Sequence, residues 1–275
     1  MPGDPRPIGV FDSGMGGLTV LRALAARLPN ETFVYLGDTA RLPYGTKSAE
    51  TVQAYALQAT RHLIAEGVKI VVVACNTASA VALDPLAKAL APVPVIGVIE
   101  PGARAAVAAT RNRRIAVIAT EGTVKGEAYP SAIRALRDDM DVVQRPCQVF
   151  VALAEEGWTE SDVTVAAAEL YLGSLFEGPP APDTIVLGCT HFPVLAAAIR
   201  QVIGDDVTMV DSAETTAAAV ADALAAKGMG NDNGGSDASM RFFATDSPER
   251  FARVGAIFLG RPIDVADVEL IDLRS

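Results

Sequence analysis

Short apolar runs alternate with longer amphipathic segments along nearly the whole chain. The runs at 7–11, 32–36, 69–74 and 94–98 have the length and composition of buried strands. Between them, apolar positions recur at helical spacing over 18–28, 49–66 and 79–90. A second series follows, with predicted strands at 114–119, 141–145, 184–187 and 208–210. Its predicted helices cover 122–136, with a break expected near Pro130, then 163–176, 194–203 and 213–227. Residues 228–239 are rich in Gly, Asn, Asp and Ser and read as a surface loop. Strands at 241–245 and 269–273, with a helix over 248–259 between them, close the chain. Strands that alternate with helices of this length form parallel sheets covered by helices.

Two stretches repeat one pattern. Residues 70–79 read IVVVACNTAS and residues 184–193 read TIVLGCTHFP. In each, an apolar strand ends on a cysteine, and small or hydroxyl residues then open a helix. Cys75 and Cys189 therefore occupy matching places in the two halves. The expected fold is α/β: two pseudo-symmetric lobes, each a mainly parallel sheet covered by helices, with the site in the cleft between them. Ligands of such sheets bind beyond the carboxyl ends of the strands, where both cysteines fall.

A strand-end cysteine taken alone is most simply a small buried side chain. A matched pair has a chemical reading. A thiol at a helix N-terminus alternates between thiol and thiolate, because the helix end lowers its proton affinity. Two thiols on opposite sides of one carbon would remove a proton from one face and return one to the other. Cys147 lacks this context and reads as structural.

Other polar residues fall near the same strand ends. His191, two positions after Cys189, is placed to polarise a thiol or to make a structural hydrogen bond; His62 lies in a predicted helix and reads as inert. The DSGMGG segment at 12–17 joins the first strand to the first helix. It is a tight turn or an anion-holding loop, and it has neither GxGxxG spacing nor the lysine of a phosphate loop. Asp12 in it can orient a thiol or an ammonium group. The polar loop at 37–46 has the character of a site-lining segment. Asn76, Thr77 and Thr190 are carboxylate donors or helix caps. There is no HExxH, no metal-ligand spacing and no lysine context for pyridoxal phosphate, so α-carbon chemistry here is expected to need no metal and no cofactor.

Composition narrows the partners. The net charge is −10, without the clustered Lys and Arg of a nucleic-acid surface. With 275 residues, 50% of them hydrophobic, the chain affords a sizeable core. No apolar stretch approaches the roughly 20 residues of a membrane helix. The N-terminus has no secretory pattern, and the odd count of 3 cysteines fits a reducing cytoplasm.

Taken together, these motifs resemble the glutamate racemases of the aspartate/glutamate racemase superfamily. The resemblance rests on IGVFDSGMGGLTVL at 8–21, YLGDTARLPYGTKS at 35–48 and VVVACNTASA at 71–80. GVIEPG at 97–102, LGCTHFPVL at 187–195, DSAETTA at 211–217 and FFATDSPERFARVGAIFLG at 242–260 extend it over nearly the whole length. It implies interconversion of L- and D-glutamate by two bases, without cofactor, to supply D-glutamate for bacterial peptidoglycan. By position Cys75 would serve the D face and Cys189 the L face, with Asp12 and His191 assisting them. The substrate would lie against Asp12, Ser13, Tyr44, Gly45, Asn76, Thr77, Thr190 and His191. Glu155 matches a further acid of the family, although Ala152 and Ala154 stand where proline and a branched residue are usual. The resemblance also implies a first lobe of residues 1–98 completed by 211–275, and a second of 99–210. A homodimer is expected. The alternatives are a racemase of aspartate or a hydantoin, and a regulator that binds DNA gyrase, since some glutamate racemases do so. The short lead before the first strand implies no control through an N-terminal extension.

Overall fold

The computed structural model describes residues 3–231 and 239–273. The first stretch runs β1 (Ile8–Asp12), α1 (Leu18–Arg27), β2 (Phe33–Gly37), α2 (Ala49–Ala65), β3 (Ile70–Val73), α3 (Asn76–Ala89) and β4 (Val95–Gly97). The next begins with α4 (Ile99–Ala109), β5 (Arg114–Ala119), α5 (Glu121–Lys125), α6 (Ala128–Leu136) and β6 (Asp141–Pro146). It continues with α7 (Val149–Glu155), α8 (Asp162–Phe176), β7 (Thr184–Gly188), α9 (Ala196–Ile203) and β8 (Thr208–Asp211). The chain then returns through α10 (Ser212–Lys227) to β9 (Met240–Ala244), α11 (Pro248–Leu259) and β10 (Val268–Leu270).

The strands form a six-stranded sheet, ordered β10-β9-β2-β1-β3-β4, and a four-stranded sheet, ordered β6-β5-β7-β8. Every strand pairing is parallel. Every residue of β1, β2, β3 and β7 is buried, as expected where helices cover both faces and leave no polar side to alternate. One apolar cluster joins the two sheets, from Ile8 and Leu21 through Ala103 to Val117, Val186 and Phe192. A second lies on the other face of the larger sheet, among Phe11, Leu63, Val71 and Leu86. Between the sheets α10 packs on α1 and α4, and α4 packs on α6 and β7.

Local chemistry sets several helix ends. Ser48 and Ser161 cap α2 and α8 by accepting from the backbone N–H groups of Thr51 and Thr164. Asp211 caps α10 through Ala213.

Two sequence expectations need correction, and two helices are not foreseen by the pattern. The helix expected over 122–136 is two helices, and the break is at Gly126 and Glu127 rather than Pro130. Glu127 is left-handed there (φ 50°), while Pro130 sits in the first turn of α6, where its missing N–H costs nothing. The pattern predicts no helix between the strands at 94–98 and 114–119, where α4 lies with Pro101 in its first turn. Nor does it announce the short α7. The last strand is Val268–Leu270, upstream of the expected 269–273. The loop expected over 228–239 falls mostly on 232–238, outside the described residues.

Candidate active site

Parallel register brings the two cysteines to one end of their sheets. Phe11 pairs with Val73, so Asp12 and Ser13 emerge beside Ala74 and Cys75. In the smaller sheet Ala119 pairs with Gly188, so Thr120 emerges beside Cys189. Both thiols line one cavity of about 40 Å³, shared with Ser13, Tyr44, Gly45, Asn76, Thr77, Thr120, Thr190 and His191. That space holds a few water molecules rather than an amino acid. A wider groove of about 360 Å³ adjoins it through Thr77 but is lined by no thiol or histidine.

Cys75 forms the N-cap of α3, and its sulfur accepts from the Ala78 N–H at 3.5 Å. The thiol lies 3.4 Å from Ser13 Oγ. Burial, together with the Asp12 carboxylate, pushes this thiol up to about 12 against the pull of those two hydrogen bonds. Asp12 is itself fully buried beneath the turn and does not line the cavity. Its Oδ2 accepts from the Gly14 N–H at 3.0 Å, and its Oδ1 has no partner among the described residues. Burial raises its carboxyl above the usual range, although His191 and the turn N–H groups oppose this.

On the opposite wall Cys189 Sγ lies 3.8 Å from His191 Nδ1. Nε2 of the same ring meets Glu155 Oε1 at 3.1 Å, and the other Glu155 oxygen accepts from Arg250 Nη2 at 2.6 Å. Burial by itself would push His191 down, but its bonds to Cys189 and Glu155 outweigh this and hold it up at about 10. Burial likewise works against the Glu155 charge, while His191 and Arg250 keep the carboxyl below its ordinary range. The result is a line of charge-assisted contacts, Arg250–Glu155–His191–Cys189, that runs from α11 across to the second thiol.

The remaining polar groups differ in what they leave free. The Tyr44 hydroxyl donates to Asp38, which also receives Arg41 and Thr245, so Tyr44 presents its ring to the cavity rather than a free hydroxyl. The hydroxyls of Thr77, Thr120 and Thr123 form a triangle 3.0–3.2 Å on a side that joins α3 to the end of β5. Asn76 accepts from Tyr129 at 2.8 Å, and its Nδ2 has no partner among the described residues. Gly16 in the DSGMGG turn lies close against Thr190 and His191. A Cβ there would stand 2.5 Å from both His191 Nδ1 and Thr190 Oγ1.

Of the residues read from sequence, Cys75, Cys189, Ser13, Tyr44, Gly45, Asn76, Thr77, Thr190 and His191 line the cavity, and Asp12 supports it from behind. Glu155 is brought onto His191. Sequence reading missed Thr120, Gln148 and Val151 in the lining and Arg250 behind Glu155. Thr120 directly follows a strand, a position that marks it as a site candidate. Among the described residues, no cluster of His, Cys, Asp and Glu is arranged to hold a metal ion, and no helix is long and apolar enough to cross a membrane.

Similarity to known proteins agrees with this geometry. The family profile for Asp/Glu/Hydantoin racemase matches residues 9–220. A glutamate racemase of Geobacter metallireducens is 48% identical over 266 residues, covering 96% of this chain and 97% of the relative. The crystal structure of a Francisella tularensis glutamate racemase in complex with D-glutamate matches with a TM-score of 0.90 at 36% identity, covering 98% of this chain and 99% of that one. A glutamate racemase isoform from Bacillus anthracis matches with a TM-score of 0.91 at 38% identity, covering 98% of each chain. The chain belongs to the Asp/Glu/Hydantoin racemase family and, within it, groups with the glutamate racemases.

Proposed function

We propose that this chain interconverts L- and D-glutamate by a two-thiol proton transfer without a cofactor. The observation that carries the reading is that Cys75 and Cys189 line one cavity from two different sheets. In the D-to-L direction, Cys75 as thiolate takes the α-proton, and the Cys189 thiol gives a proton to the opposite face. The thiol and thiolate have then changed places, which is the state that the reverse direction needs. The thiolate at Cys75 is opposed by burial and by Asp12. The α-ammonium of the substrate brings the positive charge that favours it. On the other side, protonated His191 stabilises the Cys189 thiolate, whichever direction forms it. The Asn76 amide and the Thr77 and Thr190 hydroxyls donate to substrate carboxylate, offsetting the charge of the developing carbanion.

Residues 1–98 with 211–275 are proposed as one lobe and 99–210 as the other. A cavity of about 40 Å³ admits glutamate only if the lobes part, and their closing excludes water from the reacting atoms. The proposed setting is a cytoplasmic homodimer that supplies D-glutamate for peptidoglycan.

The test is α-proton exchange of D-glutamate in D₂O, followed by NMR with circular dichroism on the same sample. Deuterium uptake with loss of optical activity supports the reading. Cys75→Ser and Cys189→Ser should each abolish racemisation. Exchange of aspartate but not glutamate would transfer the reaction to the shorter substrate, and exchange of neither would refute the enzyme assignment.

A further inference from the structure

Asn76 is the first residue of α3 and is 3% exposed. Its two terminal atoms are treated differently. Oδ1 lies 2.8 Å from the Tyr129 hydroxyl, whereas Nδ2 is buried and has no partner among the described residues. Tyr129 comes from α6 and is fully buried. Burial raises its hydroxyl above the ordinary phenol range, with Asp211 and Cys189 adding to the effect, so it stays protonated. Among the described residues its one hydrogen-bond neighbour is Asn76. A phenol with a single acceptor in reach gives its proton there, and an amide's orientation follows from such a partner. The oxygen of Asn76 therefore faces Tyr129, and its NH₂ is the group left to meet a ligand in the cavity. The ring that does this is itself wedged. A Cβ added at Gly102 or Gly188 would come within 3.3 and 3.1 Å of it, and Gly188 directly precedes Cys189.

We propose that Tyr129 is a positioning residue that locks the Asn76 amide with its NH₂ toward the cleft, so that this position accepts a carboxylate oxygen and rejects an ammonium group. The proposal rests on the racemase reading and deepens it. A buried donor kept unpaired in the protein alone is stabilised when a carboxylate arrives, which makes the contact selective for that group.

The test is a double-mutant cycle on purified full-length protein, with racemisation of both glutamate enantiomers as the readout. Tyr129→Phe removes the hydroxyl and keeps the ring. We expect kcat/KM to fall about tenfold, the size of one buried hydrogen bond. Asn76→Ala lowers kcat/KM on its own, and adding Tyr129→Phe to it should bring less than about twofold further loss, because the hydroxyl acts through that amide. Independent, multiplying losses would overturn the proposal, as would a Tyr129→Phe variant as active as the native chain. A purely structural tyrosine would cost stability equally in both backgrounds, so thermal unfolding is measured alongside. Should Tyr129→Phe fail to fold, Asn76→Asp decides the polarity. It keeps the shape but replaces the donor with a second anionic oxygen, so KM for glutamate should rise at least tenfold. An unchanged or lower KM would mean that this position meets the ammonium, and the proposal would fall. A native chain that racemises no amino acid would refute the racemase reading instead, which separates the two failures.

Discussion

Glu155→Gln isolates the charge on the carboxylate that faces His191. The substitution keeps the size of the side chain and an oxygen to accept from Nε2, but removes the negative charge 3.1 Å away. The lost interaction can be bracketed. Replacing a charged acceptor by a neutral one forfeits about half of a charge-assisted hydrogen bond, roughly 1 kcal/mol. Full Coulomb attraction at that distance with an effective dielectric near 20 gives an upper bound of about 5 kcal/mol. Arg250 draws on the same carboxylate at 2.6 Å, which favours the lower half of this range. A loss of about 2 kcal/mol corresponds to roughly 1.5 pKa units at His191. The sign follows from the shift. His191 is held up at about 10, so the imidazolium is present below that pH and lost above it. The basic limb of kcat/KM should therefore lie near 10 in the native protein and move down by roughly 1.5 units in the variant. Because the two enantiomers have equal free energy, kcat/KM must fall equally in both directions. The assay is polarimetry with D- and L-glutamate from neutral to strongly alkaline pH, with thermal unfolding at each point to confirm folded protein. A basic limb within about 0.5 unit of native, in folded protein, would refute a charge link between Glu155 and the second thiol.

Three further substitutions test separate parts of the structure. Gly16→Ala drives a methyl to 2.5 Å from His191 and Thr190; it should cost about 1–3 kcal/mol and lower kcat/KM by roughly 10²-fold or more, read by urea unfolding and polarimetry, and native-like activity would contradict the close approach. Lys69→Met breaks the buried ion pair with Glu31 (2.6 Å) and should destabilise the fold by about 3–5 kcal/mol in urea; a loss under about 1 kcal/mol would show that the pair is dispensable. Cys147, whose thiol burial pushes up to about 12, should react slowly with thiol reagents in the folded protein, and Cys147→Ala should keep racemisation within about twofold of native, whereas a large loss of activity would give this thiol a role that the cavity does not assign.

Several features were legible because they are written locally. The strand-helix alternation gives the α/β class, since the period of apolar positions and the length of each run are properties of neighbouring residues. The two cysteines stood out because each follows a short apolar run that reads as a buried strand, and parallel strands present their carboxyl ends to ligands. Pro130 misled for the opposite reason. A proline reads as a break, yet in a first helical turn its missing N–H is never needed.

What the sequence by itself determined is the class of fold, the two thiols and the polar residues within a few positions of them. The partnerships depended on how the two sheets abut. Arg250 reaches Glu155 across 95 positions, and Tyr129 reaches Asn76 across 53. No local periodicity encodes either distance. Thr120 and Thr123 are unremarkable hydroxyls until the end of β5 is brought against Thr77 of α3. The protonation states are likewise tertiary. The Cys75 thiol and the His191 ring are set by burial and by neighbours on other elements, and a side chain's charge responds to the dielectric and the partners around it rather than to its place in the chain.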